Sequence, residues 1–177
     1  TTLAMMQISR GLAYILTQGS PISTGSISKS FEAIGQGSIL GIPNPVLILL
    51  VLVIIFDYLL RNSLKFRQVY YTGSNEKAAK LSGINTDKVK LYVYILSATL
   101  AGLAGIITLS RFNVATPTAG NGAETRAIAG AVIGGASFTG GQGTVFGALL
   151  GIILVGLVNN ALVLLNVSVY WQSLVSG

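Results

Sequence analysis

Pro45-Val-Leu-Ile-Leu-Leu-Val-Leu-Val-Ile-Ile-Phe-Asp-Tyr-Leu-Leu60 carries one charge, Asp57, in an otherwise apolar run. Lipid offers no partner to free backbone groups, so a stretch of this kind crosses a membrane as a helix or as a strand of a closed barrel. The unbroken apolarity excludes the alternating pattern of a barrel strand. A span needs ~20 residues, so Ile42 and the Arg61–Leu64 turn are expected to extend this one. Asp57 and Arg61 stand one helical turn apart and can pair.

Working outward, a second full-length run covers Leu91–Leu109. Between the two lie seven of the eleven basic residues: Arg61, Lys65, Arg67, Lys77, Lys80, Lys88 and Lys90. Cytoplasmic loops retain Lys and Arg, which assigns residues 61–90 to the cytoplasm. Pro45–Leu60 then enters from outside and Leu91–Leu109 returns. Thr144–Leu165 is a further full span, and Ala127–Phe138 is apolar but short for one. Thr1–Thr17 reads as a helix containing Arg10, followed by a polar Gly/Ser/Pro-rich loop, Gln18–Asn44, outside. Arg111–Arg126 also lies outside and the Thr139–Gly143 turn inside. A last helix is expected from Val167, with Tyr170-Trp171 as an interfacial aromatic belt. The expectation is an all-α polytopic transmembrane bundle with about four to five spans, forming one transmembrane domain over 1–177 and part of a longer membrane protein.

Composition agrees. Only 9% of the 177 residues are charged and 51% are hydrophobic, against about 25% charged in soluble domains; mean hydropathy is +0.72. The net charge of +6 invites a nucleic-acid partner, but its concentration in one loop between spans argues for a membrane protein instead. The chain has no Cys and no His, which excludes thiolate or imidazole metal sites and Ser-His-Asp chemistry. No catalytic residue, metal or cofactor is expected. Gly134-Gly-Ala-Ser-Phe-Thr-Gly-Gly141 lacks the Walker lysine, so it is not a phosphate loop.

The loop contains Thr72-Gly-Ser-Asn-Glu-Lys-Ala-Ala-Lys-Leu-Ser-Gly-Ile84. Ser74 or Asn75 can cap a helix, Glu76 favours the positive end of its dipole, and Gly83 suits a left-handed terminus. A two-turn helix over Glu76–Ser82 follows, too short to stand alone in water, so it must dock. It either lies under its own bundle or on the membrane surface, or it is a knob for a soluble partner. Thr86 is expected to cap the next helix, Asp87–Leu109. Gly143, Gly147 and Gly151 share one helix face, as do Ala98/Gly102 and Ala101/Gly105, and read as close helix packing or, less simply, as a moving gate.

Two groups of polar residues stand out. Thr116, Thr118, Asn121 and Glu124 belong to an irregular segment beside the short apolar helix. They line the mouth of a pathway, or Glu124 simply caps that helix. Asn159 and Asn160 interrupt an apolar span and either bind another helix or face a polar cavity.

Gly73-Ser-Asn-Glu-Lys-Ala-Ala-Lys-Leu-Ser-Gly-Ile-Asn85, then Lys88-Val-Lys-Leu-Tyr-Val-Tyr-Ile-Leu-Ser-Ala98 and Leu100-Ala-Gly-Leu-Ala-Gly-Ile-Ile107, closely resemble permeases of the ribose-type sugar importers, membrane subunits of ATP-binding-cassette (ABC) transporters. The resemblance continues through Ala115-Thr-Pro-Thr-Ala-Gly120, Ala131-Val-Ile-Gly-Gly-Ala-Ser137, Gly140-Gly-Gln-Gly143 and Leu157-Val-Asn-Asn-Ala-Leu162. It implies that Asn75, Glu76, Ala78, Ala79, Leu81 and Gly83 form the element that contacts the ATPase. It further implies a cytoplasmic ATPase subunit, an extracytoplasmic sugar-binding protein, a second permease subunit and a bacterial cytoplasmic membrane. ATP hydrolysis then belongs to the ATPase, and the cargo is a sugar or small polyol. Branched-chain amino-acid permeases share a weaker form of the loop. A carrier or channel without an ATPase, or a non-transporting assembly subunit, stays open on the residues alone.

Overall fold

The computed structural model describes residues 2–23, 25, 28–168 and 171. It is mostly helical. The helices are α1 (Thr2–Thr17), α2 (Lys29–Gln36), α3 (Asn44–Asn62), α4 (Leu64–Ser74), α5 (Glu76–Leu81), α6 (Thr86–Phe112), α7 (Ala123–Ile133) and α8 (Val145–Leu164). Among the described residues, four two-residue strands form two antiparallel pairs: β1 (Ile22–Ser23) with β4 (Val114–Ala115), and β2 (Ser38–Ile39) with β3 (Ile42–Pro43).

Among the described residues, three helices are long and apolar enough to cross a membrane: α3 with 19 residues, α6 with 27 and α8 with 20. At 1.5 Å per residue α6 is about 40 Å long, more than the ~30 Å hydrocarbon core. Their large apolar side chains, such as Ile54, Leu91, Tyr92 and Leu157, are exposed, a surface that water would not tolerate over such areas. α1 has 16 residues and α7 has 11. α7 is about 17 Å long, roughly half a crossing. The Asp57–Arg61 pair forms, with Arg61 Nε 2.7 Å from Asp57 Oδ2.

Several expectations change. Gln18–Asn44 is not simply a loop; it holds α2 and three of the short strands. The segment 61–90 contains an additional helix, α4. Thr86 does not cap α6: Asn85 Oδ1 accepts the Lys88 N–H at 3.1 Å, leaving the Thr86 hydroxyl for another partner. Gly102 and Gly105 have nothing within 4 Å of where a Cβ would stand, so these faces pack on no described part of the chain. The expected final helix falls mostly outside the described residues, as does Tyr170; Val167 and Ser168 are not helical.

The chain divides into two compact units, residues 1–49 with 97–121, and residues 50–96 with 122–177. In the first, α2 is clasped to the end of α6. The Gly35 N–H donates to Ser110 Oγ at 2.8 Å and the Ser110 hydroxyl donates to the Phe31 carbonyl at 2.5 Å. Gln36 Nε2 reaches the Ser110 and Arg111 carbonyls, and Asn113 Nδ2 donates to Glu32. A Cβ on Gly35 would collide with the Ser110–Arg111 backbone, so only glycine permits this approach.

In the second unit α7 and α8 form an antiparallel hairpin with a glycine seam. A Cβ on Gly134 would strike the Gly147 carbonyl, and one on Gly151 the Gly130 carbonyl. The packing reading of Gly147 and Gly151 therefore holds. Gly143 lies before the helix, where the Thr144 hydroxyl caps α8 by accepting the Gly147 N–H at 3.0 Å.

Candidate functional site

The second unit contains the short helix α5, which is closed at both ends by its own residues. At its start Asn75 has extended backbone, and its Oδ1 accepts the Ala78 N–H at 3.0 Å, satisfying one of the free donors of the first turn. At its end the Ile84 N–H donates to the Ala79 carbonyl and the Gly83 N–H to the Lys80 carbonyl, each at 3.0 Å. This is the paired bonding of a Schellman motif. It requires φ of +82° at Gly83, a conformation that costs a residue with a Cβ far more than glycine. The Ser82 hydroxyl adds a bond to the Ala78 carbonyl at 3.0 Å.

The sharp reversal at Gly83 brings the start of α6 back beside the start of α5. Glu76 Oε1 lies 2.7 Å from Lys90 Nζ and 3.2 Å from Lys80 Nζ, and it accepts the Thr86 hydroxyl at 3.2 Å. Lys90 above all, then Lys80 and Thr86, hold the Glu76 carboxyl down from its ordinary 4.5 to about 2. Donors on a carboxylate favour its ionised form. Thr86 is buried although polar, which this bond explains.

α5 has an inner and an outer face. Ala79 is only 4% exposed, while Leu81 is 91% exposed. Lys77, Ala78 and Lys80 also face out. Leu81 is thus a large apolar side chain held outward between lysines, on a helix fastened from behind. Of the six residues expected to contact a partner, Asn75, Glu76 and Gly83 build the helix ends, Ala79 seats it, and Ala78 and Leu81 are presented.

The expected pathway residues are distributed over both units. Thr116, Thr118 and Asn121 belong to the first unit, and Glu124, Asn159 and Asn160 to the second. Thr116 and Thr118 open successive tight turns, their carbonyls accepting from the Ala119 and Asn121 N–H groups. Glu124 is exposed in the first turn of α7; Asn159 and Asn160 lie in α8, Asn159 partly buried.

Comparison with known proteins places these features in context. Residues 1–177 match the family described as the permease component of the branched-chain amino acid transport system. The chain is 44% identical over 178 residues to the ribose import permease protein RbsC of Escherichia coli strain K12, covering 99% of this chain and 56% of the relative. The chain belongs to this permease family. It is also 42% identical to the ribose import permease protein RbsC of Bacillus subtilis strain 168, over 99% of this chain and 55% of the relative. To the L-arabinose ABC transporter permease protein AraH of Azospirillum brasilense it is 36% identical, over 99% of this chain and 51% of the relative. The chain spans about half the length of these curated relatives. No solved structure gives a significant match. The resemblance to ribose-type permeases drawn from the motifs therefore extends over the whole chain.

Permeases of this kind are transport components rather than catalysts. The motif reading of the loop missed Lys90 and Thr86 as partners of Glu76. Their signal was present: an acidic first-turn residue, a Gly-terminated helix of two turns, then Thr and Lys in the first two turns of the next helix. Tyr70, whose hydroxyl donates to the Gly143 carbonyl at 2.7 Å, gave no signal, because the contact joins segments 73 residues apart.

Proposed function

We propose that the chain is part of the membrane-spanning subunit of an ATP-driven importer in a bacterial cytoplasmic membrane, and that its cargo is a ribose-like monosaccharide or related polyol. The single observation that supports this best is α5: a pre-capped helix with an outward Leu81 and lysine rim, fastened to the longest candidate span. The family and its ribose and arabinose relatives supply the cargo class.

In this reading residues 61–90 are a cytoplasmic loop in a single permease domain of four to five spans. Asn75, Glu76, Ala78, Ala79, Leu81 and Gly83 form the coupling element, and a cytoplasmic ATPase subunit receives Ala78 and Leu81. A second permease subunit and an extracytoplasmic sugar-binding protein complete the assembly. Thr116, Thr118, Asn121, Glu124, Asn159 and Asn160 line the pathway. Support comes from α7, which is too short to cross. The chain before it is irregular, and irregular backbone at membrane depth needs protein or a water-filled cavity beside it.

The mechanism requires no covalent chemistry from this chain. Closure of the ATPases moves α5, and α6 carries that movement along a continuous helix, alternating access. The test is uptake of labelled ribose by the full-length protein with its ATPase in vesicles. Vanadate-sensitive uptake abolished by Leu81→Asp is the expected result. Vanadate-insensitive uptake would replace the importer with an ATP-independent carrier. The family description favours one further reading, a branched-chain amino acid as cargo; labelled leucine in place of ribose tests it.

A further inference from the structure

We propose that the corner where α4 meets the turn between α7 and α8 is a second coupling joint, delivering movement of the α4–α5 segment to the α7–α8 hairpin. The proposal rests on the importer reading above.

The joint is made almost entirely of backbone. A Cβ on Gly73 would stand 2.7 Å from the Gly141 nitrogen, and one on Gly140 would stand 2.7 Å from the Gly73 carbonyl oxygen. A Cβ on Gly141 would stand 2.6 Å from the Ser74 Cβ. No ordinary side chain fits at any of the three. Gly140 and Gly141 also have φ of +86° and +77°, so backbone conformation and close approach both demand glycine. Beside them the Tyr70 hydroxyl donates to the Gly143 carbonyl at 2.7 Å and pins the far side of the turn.

Both flanks of the joint are stiff. Ser74 is the last residue of α4. The next residue, Asn75, donates its N–H to the Tyr71 carbonyl and caps α5 with its side chain. The coupling helix therefore starts one residue from the contact. On the other flank the Gly140 N–H bonds the Ser137 carbonyl, and the Ser137 N–H bonds the Gln142 carbonyl. Gly143 leads directly into Thr144, the cap of α8. From there the Gly134/Gly147 and Gly130/Gly151 contacts tie α8 to α7.

This path from α5 to the hairpin contains no long flexible side chain. The two backbones already meet at contact distance, so a displacement of Ser74 toward the turn must displace the turn. The tie of α5 to α6 works differently, through the extended and partly exposed side chain of Glu76. Tyr70 and the three glycines are thus positioning residues for the hairpin.

The test uses the full-length transporter with its ATPase subunit in proteoliposomes, comparing Tyr70→Phe, Gly140→Ala and Gly141→Ala. The expected result is retention of the ATPase subunit and an unchanged thermal midpoint for Tyr70→Phe, with a several-fold fall in sugar moved per ATP hydrolysed. The glycine variants are expected to lower that ratio further. A merely structural role would move the thermal midpoint and leave the ratio alone. If the glycine variants fail to assemble, Tyr70→Phe decides. An unchanged ratio in Tyr70→Phe overturns the joint while leaving the importer reading intact. A wild-type complex that holds no ATPase instead removes the importer reading, and the joint with it.

Discussion

Two segments are fastened to α6, α2 near its end and α5 near its start, and the chemistry of the two fastenings is opposite. At Ser110 the side chain is 0% exposed, and the bonds run between a neutral hydroxyl and backbone groups. At Glu76 the side chain is 38% exposed, and the bonds run to two ammonium groups and a hydroxyl. The first is a packed knot: glycine lets two backbones touch, and one hydroxyl both accepts from the Gly35 N–H and donates to the Phe31 carbonyl. The second is a charged latch in contact with water. A knot resists salt and pH and fails on a change of volume; a latch tolerates changes of volume and responds to ions and protons.

Substitutions at the two places separate these behaviours. The largest effect is expected at the knot. Gly35→Val forces side-chain volume into the Ser110–Arg111 backbone, a strain of about 3 kcal/mol at the upper end of ordinary overpacking. Ser110→Ala removes both bonds of the Ser110 hydroxyl, a cost of about 1–3 kcal/mol. Thermal unfolding in detergent checks both, and both losses should be independent of salt. A Gly35→Val protein as stable as wild type would show that the approach of α2 to α6 is not a close one.

A smaller effect, with a pH signature, is expected at the latch. The carboxyl of Glu76 is held at about 2 in the folded chain, below its ordinary 4.5. A depressed acid contributes stability that is complete above the ordinary value and is lost as pH falls toward the folded one. Hydrogen-exchange protection of the α5 amides, corrected for intrinsic rates, should thus hold at pH 6 and decline between about 4.5 and 2. It should weaken in 1 M salt, where the screening length is about 3 Å. Glu76→Gln should remove both dependences. Persistence of either in Glu76→Gln would assign the latch to another group.

The same contrast explains what was legible in the sequence. Hydropathy located α3, α6 and α8 nearly to their ends, because length and apolarity alone decide a span. The cap at Asn75 and the stop at Gly83 were legible because each acts within a few residues. The knot was not. The Ser110–Gly35 contact joins positions 75 residues apart, and α2 sits in a stretch rich in Gly, Ser and Pro that reads as loop. Tertiary contact, rather than propensity, gives α2 its place. Among the candidate site residues, the motif pointed to Ala78 and Ala79 together. Only the folded chain distinguishes them, with Ala79 seated inward and Ala78 presented. The pathway residues were chosen by polarity within or beside apolar runs, a criterion blind to which of them meet in space.

The central claim is that α5 presents Leu81 to an ATPase. The most direct measurement is purification of the full-length parent in detergent with mass spectrometry of what accompanies it, for wild type and for Leu81→Asp. Leu81 is 91% exposed, so the substitution should leave the chain folded and inserted. The expected result is a stoichiometric ATPase subunit with the wild type and its loss from Leu81→Asp. An ATPase retained at full stoichiometry by Leu81→Asp, or absent from the wild type, would contradict the claim.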